Sequence, residues 1–282
     1  MLIITDLDNT LYDWVTFYAN SFEAMISELS NTLELDSESL YKEFRMIHQK
    51  YGNSERSYTI FDISSVLEVT SSMNKLEKLD YLKESLDAFN STRDKFLKLY
   101  GSVYKTLEKL KNDGHTIVAH TEAMDVNALD RLEKLGVLDF FTRVYATSSE
   151  KVRHPMKTDE LLKKHHSKIV SLSGNVKKPS VESVNLVLST EKYSASEAVY
   201  IGDSLIKDIA IANRANITSV LASYGKVYSK ELWEVLVKIT HWTDEDVRRE
   251  EALKLEFKNT KPTYIINEFG ELIQIVSNKS KL

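Results

Sequence analysis

Leu2-Ile3-Ile4-Thr5-Asp6-Leu7-Asp8-Asn9-Thr10-Leu11 opens the chain on a strand that runs straight into two aspartates. Leu2 to Thr5 is a short apolar run, the pattern of a strand buried on both faces of a parallel sheet. Similar runs return at Thr116-Ile117-Val118-Ala119, Arg143-Val144-Tyr145-Ala146, Ala198-Val199-Tyr200-Ile201, Thr218-Ser219-Val220-Leu221 and Tyr264-Ile265-Ile266. Between them, apolar residues recur at helical spacing. Val103, Leu107 and Leu110 precede a capping Gly114; Leu129, Leu132 and Leu135 precede Gly136; a further helix covers 206–215. Strands alternating with helices predict an α/β fold, a doubly wound (Rossmann-like) parallel sheet with right-handed crossovers.

Residues 14–99 break that rhythm. Val15, Tyr18, Ala19, Phe22, Met25 and Ile26 repeat at helical spacing, as do Leu40, Phe44 and Ile47, with no competing strand alternation. The expected division is an α/β core domain of residues 1–13 and 100–282, with a helical cap domain of 14–99 inserted after the first strand. Two segments read as insertions in the core. One is a basic connection near 147–177, carrying Lys151, Arg153, Lys157, Lys163, Lys164, Lys168 and Lys177; the other is a pair of helices near 226–260.

Bulk properties narrow the class. With no cysteine, disulfides and thiolate-metal sites are excluded. No apolar run reaches bilayer-spanning length, and Asp6 ends the first one too early for a signal peptide. A net charge of -5 gives no general reason to expect nucleic-acid binding. The expectation is a cytoplasmic protein with no membrane or nucleic-acid partner.

In open α/β sheets ligands bind beyond the carboxyl ends of the strands. Asp6 and Asp8 follow the first strand and Thr121 the second. Gly202-Asp203-Ser204 follow a later one, with Asp208 five residues on, and Lys178-Pro179 precede a helix. Carboxylates gathered at one sheet edge repel unless a cation sits among them, and oxygen ligands of this kind suit Mg²⁺ with a substrate phosphate. A carboxylate can also attack phosphorus. No Gly-rich Walker loop is present, so a P-loop site is not the source of the phosphate reading.

On these residues the chain resembles the haloacid dehalogenase-like (HAD) hydrolase superfamily, in its C1-capped phosphatase form. Asp6-Leu7-Asp8-Asn9-Thr10 matches its DxDxT motif, Thr121 the second motif, Lys178 before Pro179 the third, and Gly202-Asp203-Ser204 with Asp208 the fourth. The match covers roughly 1–225 and resumes near Pro262. It implies a Mg²⁺-dependent phosphatase acting on a small phosphorylated metabolite through an aspartyl-phosphate. Asp6 is then the nucleophile, and Asp8 the general acid and base. The metal is held by Asp6, the Asp8 carbonyl and Asp203, with Asp208 in support; Thr121 and Lys178 hold the phosphoryl oxygens.

Rival readings within the superfamily are a phosphomutase, a phosphonatase and a dehalogenase, the last opposed by Asp8. Outside it stands a non-catalytic binding or regulatory protein on the same scaffold. Glu122 departs from the pattern, because relatives place a small polar residue after the second-motif threonine. It must point away from a phosphate, pair with a cation or mark a weakened site. Taking Lys178 over Lys177 rests on the following proline. His120 is expected to face away from Thr121, since neighbours on a strand point to opposite faces. His165-His166 and the basic connection read as solvated surface, and the apolar residues of 14–99 as that domain's own core.

Overall fold

The computed structural model describes residues 1–150, 158–174 and 176–280. Among these residues, seven strands form one parallel sheet: β1 (Leu2–Thr5), β2 (Thr116–Met124), β3 (Arg143–Thr147), β4 (Ile169–Leu172), β5 (Ala198–Gly202), β6 (Thr218–Ala222) and β7 (Tyr264–Ile266), in the order β4-β3-β2-β1-β5-β6-β7. The expected doubly wound α/β fold is what the chain adopts. Leu2, Ile4, Val118, Tyr200 and Ala198 pack one sheet face against Val184, Val187, Ile211 and Ala212 of the flanking helices. Ile3, Ile117 and Val199, which alternate with them, are also fully buried. Burial on both faces explains why these strands read as unbroken apolar runs rather than as alternations.

Strand order reverses at β1 and β5, since the chain leaves β1 for β2 on one side and leaves β5 for β6 on the other. The crevice beyond their carboxyl ends is the topological switch point, where such sheets bind ligands. Register places the motifs there. Thr5 pairs with Ala119 on one side and Ile201 on the other, so Asp6, Thr121 and Asp203 all lie just past that line.

The connection at 147–177 contains a strand that the sequence reading missed. β4 has only 4 residues, with Lys168 before it and an exposed Ser171 inside it. A short edge strand needs neither a long apolar run nor two buried faces, so its signal was weak. Lys151, Arg153 and Lys157 lie outside the described residues.

The chain separates into two compact units, one of Met1–Asp13, Lys98–Val227 and Glu251–Leu282, the other of Trp14–Leu97 and Tyr228–Glu250. Residues 228–250, read from sequence as an insertion in the α/β core, therefore group with the helical segment. Helix Lys230–Lys238 buries Val235 and Leu236, and Ile239 is fully enclosed. His48 Nδ1–H donates to the Ile239 carbonyl at 2.7 Å, and the Gln49 amide to the Trp242 carbonyl at 3.1 Å. Periodicity identifies the buried face of a helix but not which element covers it.

Within the helical unit, helix Trp14–Leu33 presents Tyr18 and Phe22 to Phe44 and Phe89 in edge-on ring contacts. Helix Ser37–Tyr51 starts on an Asp36 side chain that accepts the Ser39 N–H, and stops at Gly52, whose φ of 63° favours glycine. Burial pushes His48 down to about 4. Because the unfolded chain takes up the proton near pH 6.5 and the folded chain does not, stability falls as pH drops from about 6.5 to 4, by on the order of 3 kcal/mol. Urea midpoints measured across that range should slope less steeply in His48→Gln than in the wild type.

Candidate active site

The loop after β1 is built to present Asp6. Its N–H donates to the Ile201 carbonyl of β5 at 2.9 Å, which carries the β1–β5 ladder one residue beyond the strand. The chain then turns sharply. Thr10 and Leu11 N–H groups both return to the Leu7 carbonyl, and Asn9 takes a φ of 56°, a conformation that asparagine tolerates. The turn places Thr10 Oγ1 3.4 Å from Asp6 Oδ2. A neighbouring loop closes over it from β6. Tyr224 Oη donates to the Thr10 carbonyl at 2.7 Å, and a Cβ on Gly225 would stand 1.9 Å from the Asn9 carbonyl oxygen.

Lys178 is the cation at the centre of the cluster and is 4% exposed. Its Nζ donates to Asp6 Oδ1 at 2.6 Å and to Asp208 Oδ1 at 2.7 Å. Burial works against its charge, but the Asp208 and Asp6 carboxylates outweigh that and keep it an ammonium. Asp208 is committed through both oxygens, since Oδ2 accepts the Ser204 N–H at 3.0 Å. A π-helical turn over Leu205–Ile209 swings it back under the strand end. Gly202 leaves the space it fills, because a Cβ there would lie 2.3 Å from Asp208 Cγ.

Asp6, Asp203 and Asp208 each offer an oxygen, and the three lie within 4.8 Å of one another. Burial, then the Asp208 charge, pushes Asp203 up to about 7. Burial also raises Asp6; Lys178 opposes the rise, and Asp208, Asp203 and Asp8 add to it. Three clustered carboxylates, two of them bonded by the Lys178 ammonium, concentrate negative charge at a largely buried strand end. Hard oxygen donors with that charge fit a divalent cation such as Mg²⁺.

The Asp8 side chain turns to a residue that sequence reading passed over. Arg131, 4% exposed on helix Asp125–Lys134, donates from Nη1 to Asp8 Oδ1 at 3.0 Å. No local motif marks an arginine six residues into a helix, so only the fold reveals it. Thr121 lies where β2 changes register against β3, with its hydroxyl accepting the Ala123 N–H at 3.1 Å. The irregularity re-aims side chains at the sheet edge. His120 is buried and bonded to a tyrosine that reaches the cluster. Its Nδ1 meets Tyr200 Oη at 2.8 Å, and the Tyr200 ring lies under Lys178 Nζ, 5.6 Å from the centroid.

Both Glu122 oxygens are engaged. Oε1 accepts the Lys178 backbone N–H at 2.9 Å and Oε2 the Lys207 ammonium at 2.8 Å. Of the three possibilities left open by the sequence, pairing with a cation is the one the structure shows. Lys177 is left aside, because Lys178 is the lysine whose ammonium enters the carboxylates.

Residues 1–216 match the family described as haloacid dehalogenase-like hydrolase, and residues 175–272 a second described as HAD-hydrolase-like. The chain is a HAD-like hydrolase. Among similar proteins, the glyceraldehyde 3-phosphate phosphatase of Methanopyrus kandleri is 27% identical over 233 residues, 81% of this chain and 86% of the relative. That of Pyrococcus furiosus is 24% identical, covering 99% of this chain and 94% of its own. The pyrophosphatase PpaX of Bacillus velezensis is 26% identical, covering 84% and 95%. Two solved structures share the fold. A 2-haloacid dehalogenase from Pseudomonas syringae has a TM-score of 0.58 at 17% identity, and a β-phosphoglucomutase described as putative, from Thermotoga maritima, 0.53 at 17%; each alignment covers 98% of both chains. No helix among the described residues of this HAD-like hydrolase is long and apolar enough to cross a membrane.

Proposed function

We propose that this hydrolase is a Mg²⁺-dependent phosphatase that cleaves a small phosphorylated metabolite through an aspartyl-phosphate on Asp6. The observation that carries the reading is the carboxylate trio of buried Asp6 and Asp208 and half-buried Asp203, the first two bonded by Lys178. Relatives named as phosphatases and a pyrophosphatase support it.

Asp6 attacks phosphorus, and the bond to the leaving oxygen breaks as Asp8 protonates that oxygen. Asp8 then takes a proton from water, which attacks the phosphoryl group and frees Asp6. Lys178 and the Thr121 hydroxyl hold the phosphoryl oxygens through both steps, Lys178 as a point charge. Asp6, Asp203 and the Asp8 backbone carbonyl would hold the metal, which supplies Lewis-acid neutralisation of phosphoryl charge. Asp208, with both oxygens already bonded, keeps Lys178 in place. Glyceraldehyde 3-phosphate heads the substrates to try, because four of the similar proteins carry that name.

The pure protein is expected to release phosphate from p-nitrophenyl phosphate with Mg²⁺ and to stop when the metal is chelated. No turnover of that ester or of a broad panel of phosphorylated metabolites would sink the reading. Metal binding should also be linked to protons. With Asp203 near 7 in the metal-free protein, the site ionises as pH rises through that value, so Mg²⁺ binds more tightly above it. Calorimetry in two buffers of different ionisation enthalpy should detect proton release on binding at pH 6.5 and little at pH 8.5.

A further inference from the structure

Glu122 joins three stretches that are remote in sequence. It leaves β2 one residue after Thr121, takes the main chain of Lys178 with one oxygen, and takes the Lys207 side chain with the other. Lys207 belongs to the same π-helical turn that carries Asp208. The carboxylate therefore ties the strand end to both the lysine loop and the aspartate turn. Burial acts to raise its pKa, but the charge and hydrogen bond of Lys207, followed by Lys178, hold it below the usual range. Glu122 is ionised at neutral pH and behaves as a fixed acceptor.

Its lever arm is the backbone of Lys178. An ammonium at the end of a flexible stem is placed only as well as its own main chain is placed, and the stem carries considerable rotamer freedom. The Lys178 Nζ contacts of 2.6 and 2.7 Å are short enough that a small shift of the backbone would break one of them. We propose that Glu122 is a positioning residue that anchors the Lys178 main chain, held in turn by Lys207, so that the lysine ammonium stays between Asp6 and Asp208. Glu122 acts through Lys178 and not on the phosphoryl group. The catalytic part of this rests on the phosphatase reading above; the anchoring part does not.

The variants Glu122→Gln and Glu122→Ala separate anchoring from charge. Glutamine keeps a side-chain carbonyl for the Lys178 N–H and loses the charge on Lys207, whereas alanine loses both. In Glu122→Ala the Lys178 amide should exchange with deuterium about tenfold faster, the scale of one lost buried hydrogen bond. Inorganic phosphate should bind about tenfold more weakly, and kcat for p-nitrophenyl phosphate should fall by a similar factor or more. Glu122→Gln should stay within about threefold of the wild type in all three. Unchanged amide exchange in Glu122→Ala would overturn the proposal. So would a loss of thermal stability with phosphate affinity and kcat intact, or a Gln variant as impaired as the Ala one. If Glu122→Ala does not fold, Glu122→Asp, one methylene too short to reach both partners, takes its place. A wild type without turnover would remove the phosphatase reading and leave amide exchange to decide the anchor.

Discussion

Asp6→Asn should fold normally and lose phosphatase activity by about 10⁴-fold or more, because the proposed nucleophile is gone. Folding is spared for a physical reason. Asn has nearly the same shape, and the substitution removes a carboxylate that burial and its neighbours Asp208, Asp203 and Asp8 all disfavour. Lys178 keeps Asp208 at 2.7 Å, so no ammonium is left buried without a counter-ion. The measurement is phosphate release beside a thermal melt. Residual activity within tenfold of the wild type would mean that Asp6 is not the attacking group. Asp8→Asn should behave differently. It removes the carboxylate that Arg131 bonds at 3.0 Å, and because Asp8 is partly exposed the cost should be about 1–3 kcal/mol rather than the full penalty of a buried broken pair. One aspartate is then dispensable for stability and the other is not, although the two stand two residues apart.

The second large effect is expected at Gly225→Ala. A Cβ there would meet the Asn9 carbonyl oxygen at 1.9 Å, the Asn9 carbonyl carbon at 3.0 Å and Asp203 Cβ at 2.8 Å. Two of those atoms are backbone, so no rotamer change relieves the clash, and the loop from Asp6 to Thr10 must move by about 1 Å or more. Such a displacement near the chemistry costs about 10²-fold in rate, and overpacking of this kind costs about 1–3 kcal/mol in stability. Gly101→Ala is the control. Nothing lies within 4 Å of its Cβ position, so both kcat/KM and melting temperature should stay near wild-type values. Equal behaviour of the two variants would show that the β6 loop does not buttress the Asp6–Thr10 turn.

Gly225 also illustrates what a sequence withholds. The strands of the switch point were readable because burial on both faces leaves an unbroken apolar run, and Asp6, Lys178, Asp203 and Asp208 were readable because they stand at strand ends or helix starts in a recognisable order. Arg131, Lys207 and Gly225 carry no such local mark. Each matters through a partner more than 80 residues away, namely Asp8, Glu122 and Asn9. β4 was lost for a different reason, since a short edge strand flanked by lysine resembles a loop. The placement of 228–250 was lost because amphipathicity names a buried face without naming its cover. Glu122 shows the converse: its identity was plain in the sequence as a misfit, and only the positions of Lys178 and Lys207 turned the misfit into a contact.

His48 and Ile239 meet across 191 positions of chain, and the ribosome makes the first of them long before the second. During synthesis at about 5–20 residues per second, a nascent chain carries helix Trp14–Leu33 and its aromatic face for about ten seconds or more before Lys230–Lys238 is made. Over that interval the His48 imidazole lacks its carbonyl acceptor. The helical unit is thus a late-closing element, completed only when residues 228–250 have been made. Chains stalled before residue 228 should be cut readily by protease within 14–97, and chains stalled beyond residue 250, once clear of the exit tunnel, should resist.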